Sequence, residues 1–237
     1  MAHLPATVTL SAHQPFLAPH AGFFYKAHLS DIFVLLDEVQ FPHGTTWLSR
    51  NRFKNHQGTL WITIPVWKKG LGMQRINKVR ICHDGRWHRK HVESLKAAYA
   101  NAPYFSDHLE FLTTILSRNF EYLVHMNLAV IDYLIKVLRI ETRITLLSGI
   151  TVPFSGSLRL VEICRKTGAS RFLAQAAARK YLDEKLFLDA GIELCFFHPP
   201  VPVYPQLWGE FLPNLSVFDL LFNCGPKARD ILLGAAD

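Results

Sequence analysis

The chain has 237 residues, 49% of them hydrophobic, 19% charged and 12% aromatic, which excludes a disordered or fibrous protein and leaves ample material for a core. No apolar run approaches the ~18 residues that span a bilayer, and "MAHLPATVTLSAHQP" lacks the basic start and continuous apolar stretch of a secretory signal. The net charge of +7 favours anionic partners (nucleotides, phosphorylated sugars, nucleic acid or a membrane face), while Cys82, Cys164, Cys195 and Cys224 form no CxxC pair and so exclude a zinc ribbon or thioredoxin-like motif.

In chain order, "ATVTLSA" reads as a first strand over residues 6–12. "HAGFFYKAHLSD" follows as a helix, with Phe23, Phe24 and Ala27 supplying an apolar face. "IFVLLDEVQF" is a near-continuous apolar strand ending in acids, as suits a sheet covered on both faces. Residues 43–58, "HGTTWLSRNRFKNHQG", are polar and basic and read as loop; "TLWITIPV" is a strand and "INKVRI" a short one. "DGRWHRKHVESLKAAYAN" has helical spacing, and residues 106–139 give two helices broken near Asn119. "TRITLL", "RFLAQ" and "IELCFF" are then strands. The helix "GSLRLVEICRKTGA" ends at Gly168 and "YLDEKLFLDAG" at Gly191, while the tail "LSVFDLLFNCGPKARDILLGA" gives two short helices split at Gly225-Pro226. Strands alternating with helices of this length imply one α/β domain over residues 1–237. Its sheet is mainly parallel, in a Rossmann-like three-layer arrangement with a helical insertion over about 86–140.

In such sheets ligands sit outside the carboxyl ends of the strands. His13 and Gln14 follow the first strand, and Asp37 and Gln40 end the second, so one edge collects an imidazole, amides and a carboxylate. Pro15 and Pro19 stiffen the loop, and Gly22 allows close approach at the start of a helix whose N–H groups favour an anion. The bland alternative is a turn whose side chains satisfy loose backbone groups.

These residues carry a family resemblance. His13-Gln14-Pro15, Pro19, Gly22, Phe24 and Lys26, then Asp37, Val39, Gln40 and Phe41, then Asn51-Arg52, resemble the opening of the WbqC-like proteins of surface polysaccharide and O-antigen assembly. Tyr204, Gln206, Phe211, Pro213 and "NLSVFDLLFNCG" resemble that family's C-terminal motif. The resemblance covers nearly the whole chain and implies a transferase or ligase on a sugar or nucleotide-sugar, with transfer of glycine or another amino acid to an amino sugar as one form. Two departures bear on activity. "LAQAAARKYL" places Ala174, Gln175 and Ala178 where the family carries serine and glycines, and "VPVYPQ" lacks a histidine before its tyrosine.

The strand-loop-helix-strand order also resembles nucleotidylyltransferase-type enzymes. That likeness implies His13, His20 and Lys26 around the phosphates of ATP or a nucleotide-sugar, with Mg²⁺ expected beside a nucleotide. Asp37 then becomes a base or hydroxyl binder, and Gln40, Asn51 and Arg52 substrate ligands. Tyr204, Gln206, Asp219 and Asn223 join them from the C-terminal motif, where Asp219 and Asn223 share a helix face and Ser216 reads as an N-cap. Trp47, Trp61, Trp87 and Trp208 are either a sugar-stacking platform or packing. His88 and His91 lack a third metal ligand by spacing, so no metal site is assigned, and "SRNRFKNH" stands without a nucleic-acid motif, so no nucleic-acid partner is expected. Two function classes remain: an enzyme on a small-molecule sugar substrate, and a non-catalytic binding or scaffold protein of the same pathway. Oligomeric state is open.

Overall fold

A computed structural model describes residues 7–234. The strand reading at residue 6, the tail reading at residue 235 and the leader reading of residues 1–6 lie outside the described residues. In order the elements are β1 (Thr9–His13), α1 (Ala21–His28), β2 (Ile32–Leu35), β3 (Arg50–Asn55), β4 (Gly58–Thr63), α2 (Trp87–Tyr99), α3 (Phe105–Ser117), α4 (Leu123–Val137), β5 (Arg143–Leu146), α5 (Gly156–Thr167), β6 (Arg171–Gln175), α6 (Glu184–Asp189), β7 (Glu193–Phe197), α7 (Val217–Cys224) and α8 (Ala228–Leu233). They fall into two compact units.

Among the described residues the first unit holds 7–14, 25–37 and 140–199. Its five-stranded sheet has the order β5-β2-β1-β6-β7, and every neighbouring pair is parallel. Helices flank it, giving the Rossmann-like three-layer α/β arrangement expected from the alternation. All four residues of β2 are buried, because Ile32, Phe33, Val34 and Leu35 offer an apolar side chain to each covered face. Helix α5 stops where Gly168 turns left-handed at φ +73 and lets two N–H groups cap the last turn. Phe172 of β6 meets Phe187 of α6 with ring centres 5.3 Å apart.

Among the described residues the second unit holds 15–24, 38–139 and 200–234. Here β3 and β4 form an antiparallel hairpin in register from Arg50↔Thr63 to Asn55↔Gly58. The loop expected over residues 43–58 therefore contains a strand. Its inward positions include Asn51 beside Phe53, so the alternation carries polar residues on both faces and hides from a hydrophobicity pattern. "INKVRI" is not a strand either. Ile76–Lys78 make a 3₁₀ turn, and Arg80 and Ile81 form only isolated bridges.

Helices α3 and α4 break at Arg118–Tyr122 as expected, and α7 and α8 are separated by a 3₁₀ turn over Gly225–Lys227. The core of this unit is aromatic: Tyr99, Phe105, Phe218 and Phe222 pack together, with Tyr99 and Phe222 centres 4.8 Å apart. Gly225, at φ +50, lies under the Tyr104 ring, where a Cβ would sit 2.5 Å from ring carbon. Among the described residues no helix is long and apolar enough to cross a membrane.

Candidate functional site

The parallel sheet starts in its middle. The chain runs outward from β1 to β2 and β5, then returns to the other side of β1 as β6 and β7. Connection direction reverses between β1 and β6, the position where open α/β sheets bind ligands. The ladders differ accordingly. β1 pairs with β2 up to His13↔Leu35, and β6 with β7 up to Gln175↔Phe197. Between β1 and β6 the register covers only Thr9↔Arg171 and Leu10↔Phe172. The carboxyl halves of the two central strands have no mutual registry, and His13 and Gln175 end them.

Lys26 stands where this ladder stops. The carbonyls of Thr9 and His13 accept from Asp31 and Leu36, on the β2 side, whereas Val8 accepts from Ser170 and Arg171, on the β6 side. Backbone carbonyls alternate along a strand, so Ala12 aims its oxygen at β6, where the ladder has already stopped. Lys26 Nζ donates to that oxygen at 2.6 Å. The amine thus occupies the place of a missing ladder bond. Only 5% of Lys26 is exposed, and burial lowers its pKa from 10.5 to about 7. His13 is half-buried, and its Nδ1–H donates to the Gln14 carbonyl at 2.8 Å, since a carbonyl can only accept. In the neutral ring the lone pair then sits on Nε2. Helix α1 leads from this edge, and Tyr25 on it sets its ring 6.1 Å from Phe197 at the end of β7.

Asp37 follows β2 on the same edge, one strand further out. It is 3% exposed, and its Oδ1 accepts the Ser148 N–H at 2.9 Å, so the carboxylate caps the turn after β5. On the β6 side, Ala174 is buried, and Ala176–Tyr181 form a 3₁₀ turn in the segment where the family resemblance leads one to expect serine and glycines.

The remaining candidates belong to the second unit. His20 caps α1 from its first turn: its Nδ1 accepts the Gly22 N–H at 3.1 Å and its carbonyl accepts the Phe23 N–H. Burial, and then the Arg52 guanidinium, lower the His20 pKa below 6.5. The ring is therefore a neutral acceptor near pH 7, not the phosphate-neutralising cation expected, and the Gly22 N–H is already used. Gln40 is exposed and bridges Arg75. Asn51 is buried and satisfied: Nδ2 donates to the Leu17 and Ala18 carbonyls and Oδ1 accepts the Arg52 N–H. It pins the proline-rich loop, in which Ala18 has φ +42. Arg52 Nη2 donates to the carbonyls of Pro213 and Asn214, both at 3.1 Å.

Asp219 is fully buried and accepts the Tyr99 hydroxyl at 2.6 Å. Burial raises its pKa, against the opposing pull of Tyr99, Tyr204 and Lys54. Asn223 Nδ2 donates back to the Asp219 carbonyl at 2.7 Å. Gln206 accepts from Lys54 Nζ at 3.1 Å and donates to the Leu212 carbonyl at 2.9 Å. Tyr204 has its pKa raised by burial and by the neighbouring Asp219. The C-terminal motif thus converges on one polar knot inside an aromatic core.

Lys54, 2% exposed within that knot, escapes a reading of its segment as loop; the i, i+2 spacing from Arg50 and Arg52 is the signal that finds it. Tyr25 has no sequence signal beyond its place on α1. Of the four tryptophans, Trp47 and Trp61 come together at 5.8 Å, whereas the indole N–H groups of Trp87 and Trp208 anchor to the Cys82 and Ala98 carbonyls.

The model of the "WbqC-like protein family" matches residues 14–231. A protein of Mycobacterium tuberculosis (strain ATCC 25618 / H37Rv), "Uncharacterized protein Rv1507c", is 32% identical over 217 residues, which cover 90% of this chain and 93% of that one. No solved structure matches the chain.

Proposed function

Because this chain belongs to the WbqC-like protein family, we propose that it is a transferase or ligase acting on a sugar or nucleotide-sugar in surface polysaccharide (O-antigen) biosynthesis. In its narrowest form the reaction joins an amino acid such as glycine to an amino sugar, in the cytoplasm. One observation carries the reading: the buried Lys26 amine, with a pKa of about 7, sits on the Ala12 carbonyl at the switch between β1 and β6, one residue before His13 in the chain. A buried amine titrating near neutrality at such a switch point is a functional-site pattern, because it holds or releases a proton at working pH.

In the proposed step the acceptor amine or hydroxyl attacks the activated carbon. Its proton passes to Nε2 of His13 as the new bond forms, and the leaving phosphate departs with the bond's electron pair. The protonated fraction of Lys26 stabilises that charge. Mg²⁺ has a poor donor set here. The edge offers an imidazole, an amine and amides, Asp37 spends an oxygen on the Ser148 N–H, and the described residues include no cluster of three or more His, Cys, Asp or Glu with metal-binding geometry. The proposal routes no step through a metal ion. The test is to incubate the protein with nucleotide-sugars, ATP and glycine and follow products by mass spectrometry. Wild type forms a product that His13→Ala and Lys26→Met do not; equal turnover in all three refutes the assignment.

A second reading has its own support. The sealed Asp37 carboxylate and the buried Ala174 leave less catalytic equipment than the resemblance implies, which favours a sugar-binding scaffold. Binding without turnover by wild type and both variants selects it.

A further inference from the structure

The outward face of the β3–β4 hairpin gathers chemistry that the reading above does not use. Side chains alternate across a strand, so Arg50 and Arg52 share a face, and register sets Trp61 opposite Arg52 on that same face. The Arg50 guanidinium lies 3.5 Å over the Trp61 ring. Trp61 faces Trp47 at 5.8 Å with planes 31° apart, and Arg52 lies 5.8 Å from the Trp47 ring. The indoles stay 42% (Trp47) and 39% (Trp61) exposed.

Such a ladder of guanidinium on indole can serve only to stiffen a hairpin. Two features go beyond that. Among the described residues neither arginine has a carboxylate partner in any ion pair. The Nε of both is buried with no hydrogen-bond partner. Two guanidiniums without counter-charge beside two part-exposed indoles are a receptor for an anion that also carries a stackable face, with Arg52 held in place by its Nη2 bonds to the Pro213 and Asn214 carbonyls.

We propose that the Trp47–Arg50–Arg52–Trp61 face binds an anionic saccharide, its pyranose face on an indole and its phosphate on the guanidiniums. The sugar half rests on the preceding proposal; the anion half rests on the hairpin alone. A stacking ring explains the exposed indoles, which a free inorganic phosphate does not need. The compact patch, with two cations, is too small for the extended cationic track of a nucleic-acid groove.

The test uses the full chain and ¹H–¹⁵N spectra, with the indole cross-peaks of Trp47 and Trp61 assigned through Trp47→Phe and Trp61→Phe. N-acetylglucosamine 1-phosphate, UDP-N-acetylglucosamine, UDP and N-acetylglucosamine are titrated separately to millimolar concentration. Both phosphorylated sugars are expected to move both cross-peaks, less strongly at high salt, and the neutral sugar to leave them in place. Arg50→Gln is expected to weaken binding about tenfold or more. Arg50→Lys should restore it only in part, since an ammonium lacks the fork. The inference is overturned if no phosphorylated sugar moves the indoles, if the neutral sugar or UDP moves them as far, or if a single-stranded oligonucleotide binds there more tightly. These wild-type titrations decide the matter even where a variant fails to fold. Moving indoles without turnover sink only the transferase reading; turnover with unmoved indoles sinks only this one.

Discussion

Replacing Lys26 by methionine is expected to stabilise the protein while removing the transfer activity proposed above. Methionine keeps the length and much of the apolar stem but carries no charge. In the folded chain the amine has a pKa of about 7 in place of 10.5. At 1.36 kcal/mol per pH unit this difference is an unfavourable term of ~5 kcal/mol for the charged form. The sign follows from proton counting. Between about pH 7 and 10.5 the unfolded chain holds the proton and the folded chain does not, so wild-type stability rises with pH across that window. Below it the full deficit is present.

Methionine removes the deficit but also the bond to the Ala12 carbonyl, a loss of ~1–3 kcal/mol if the oxygen stays dry. The net gain is therefore ~2–4 kcal/mol near pH 6, shrinking with pH and changing sign before pH 10.5. Denaturant unfolding at about pH 6, 8 and 10 measures it, with hydrogen exchange of the β1 and β2 amides reporting the unit that holds Lys26. A variant less stable than wild type by the same amount at every pH would refute the reasoning, because the amine would then be an ordinary solvated lysine.

The other predictions concern the second unit. Gly225→Ala puts a Cβ 2.5 Å from the Tyr104 ring at φ +50, so a loss of ~2–4 kcal/mol is expected in denaturant unfolding. Asn51→Leu leaves the Leu17 and Ala18 carbonyls unpaired, and a loss of ~2–3 kcal/mol is expected in the same assay. Ala18→Gly relieves the left-handed backbone at φ +42 and is expected to gain ~1 kcal/mol, read as a raised melting temperature. Asp219→Ala strands the Tyr99 hydroxyl in the aromatic core and is expected to lose ~3 kcal/mol, whereas Asp219→Asn, which keeps an acceptor, loses less than half of that.

Much of the parallel sheet is legible in the chain itself. "IFVLL" is apolar without interruption because both its faces are covered, and Gly168 and Gly191 mark helix ends by the left-handed turn each supplies. The hairpin hides because its buried residues include Asn51, which is spent on pinning a loop far away in sequence, and, on the opposite face, Lys54, spent on a buried knot. Period-two reading counts apolar residues, and these positions carry polarity satisfied by partners about 30 to 150 residues distant.

The placement of His13 and Asp37 on one edge is readable from strand ends. What no pattern conveys is the early stop of the β1–β6 ladder, because register between distant strands is a tertiary property. The special condition of Lys26 follows from that stop. A lysine on a helix face ordinarily snorkels to water; here its chain is short of the surface and meets an unpaired carbonyl. Likewise the polar residues of "NLSVFDLLFNCG" stand out as substrate ligands in a linear motif, yet Asp219 and Asn223 face inward to Tyr99 and to each other.

The proposed chemistry depends on an amine that is half neutral at working pH and senses what binds beside it. The direct measurement is an NMR titration of the Lys26 side chain, ¹³Cε and ¹⁵Nζ, with and without a nucleotide-sugar. The account predicts a midpoint of about 7 in the free protein, raised when the anionic ligand is bound. A midpoint near the ordinary 10.5, unmoved by any nucleotide-sugar, would contradict it.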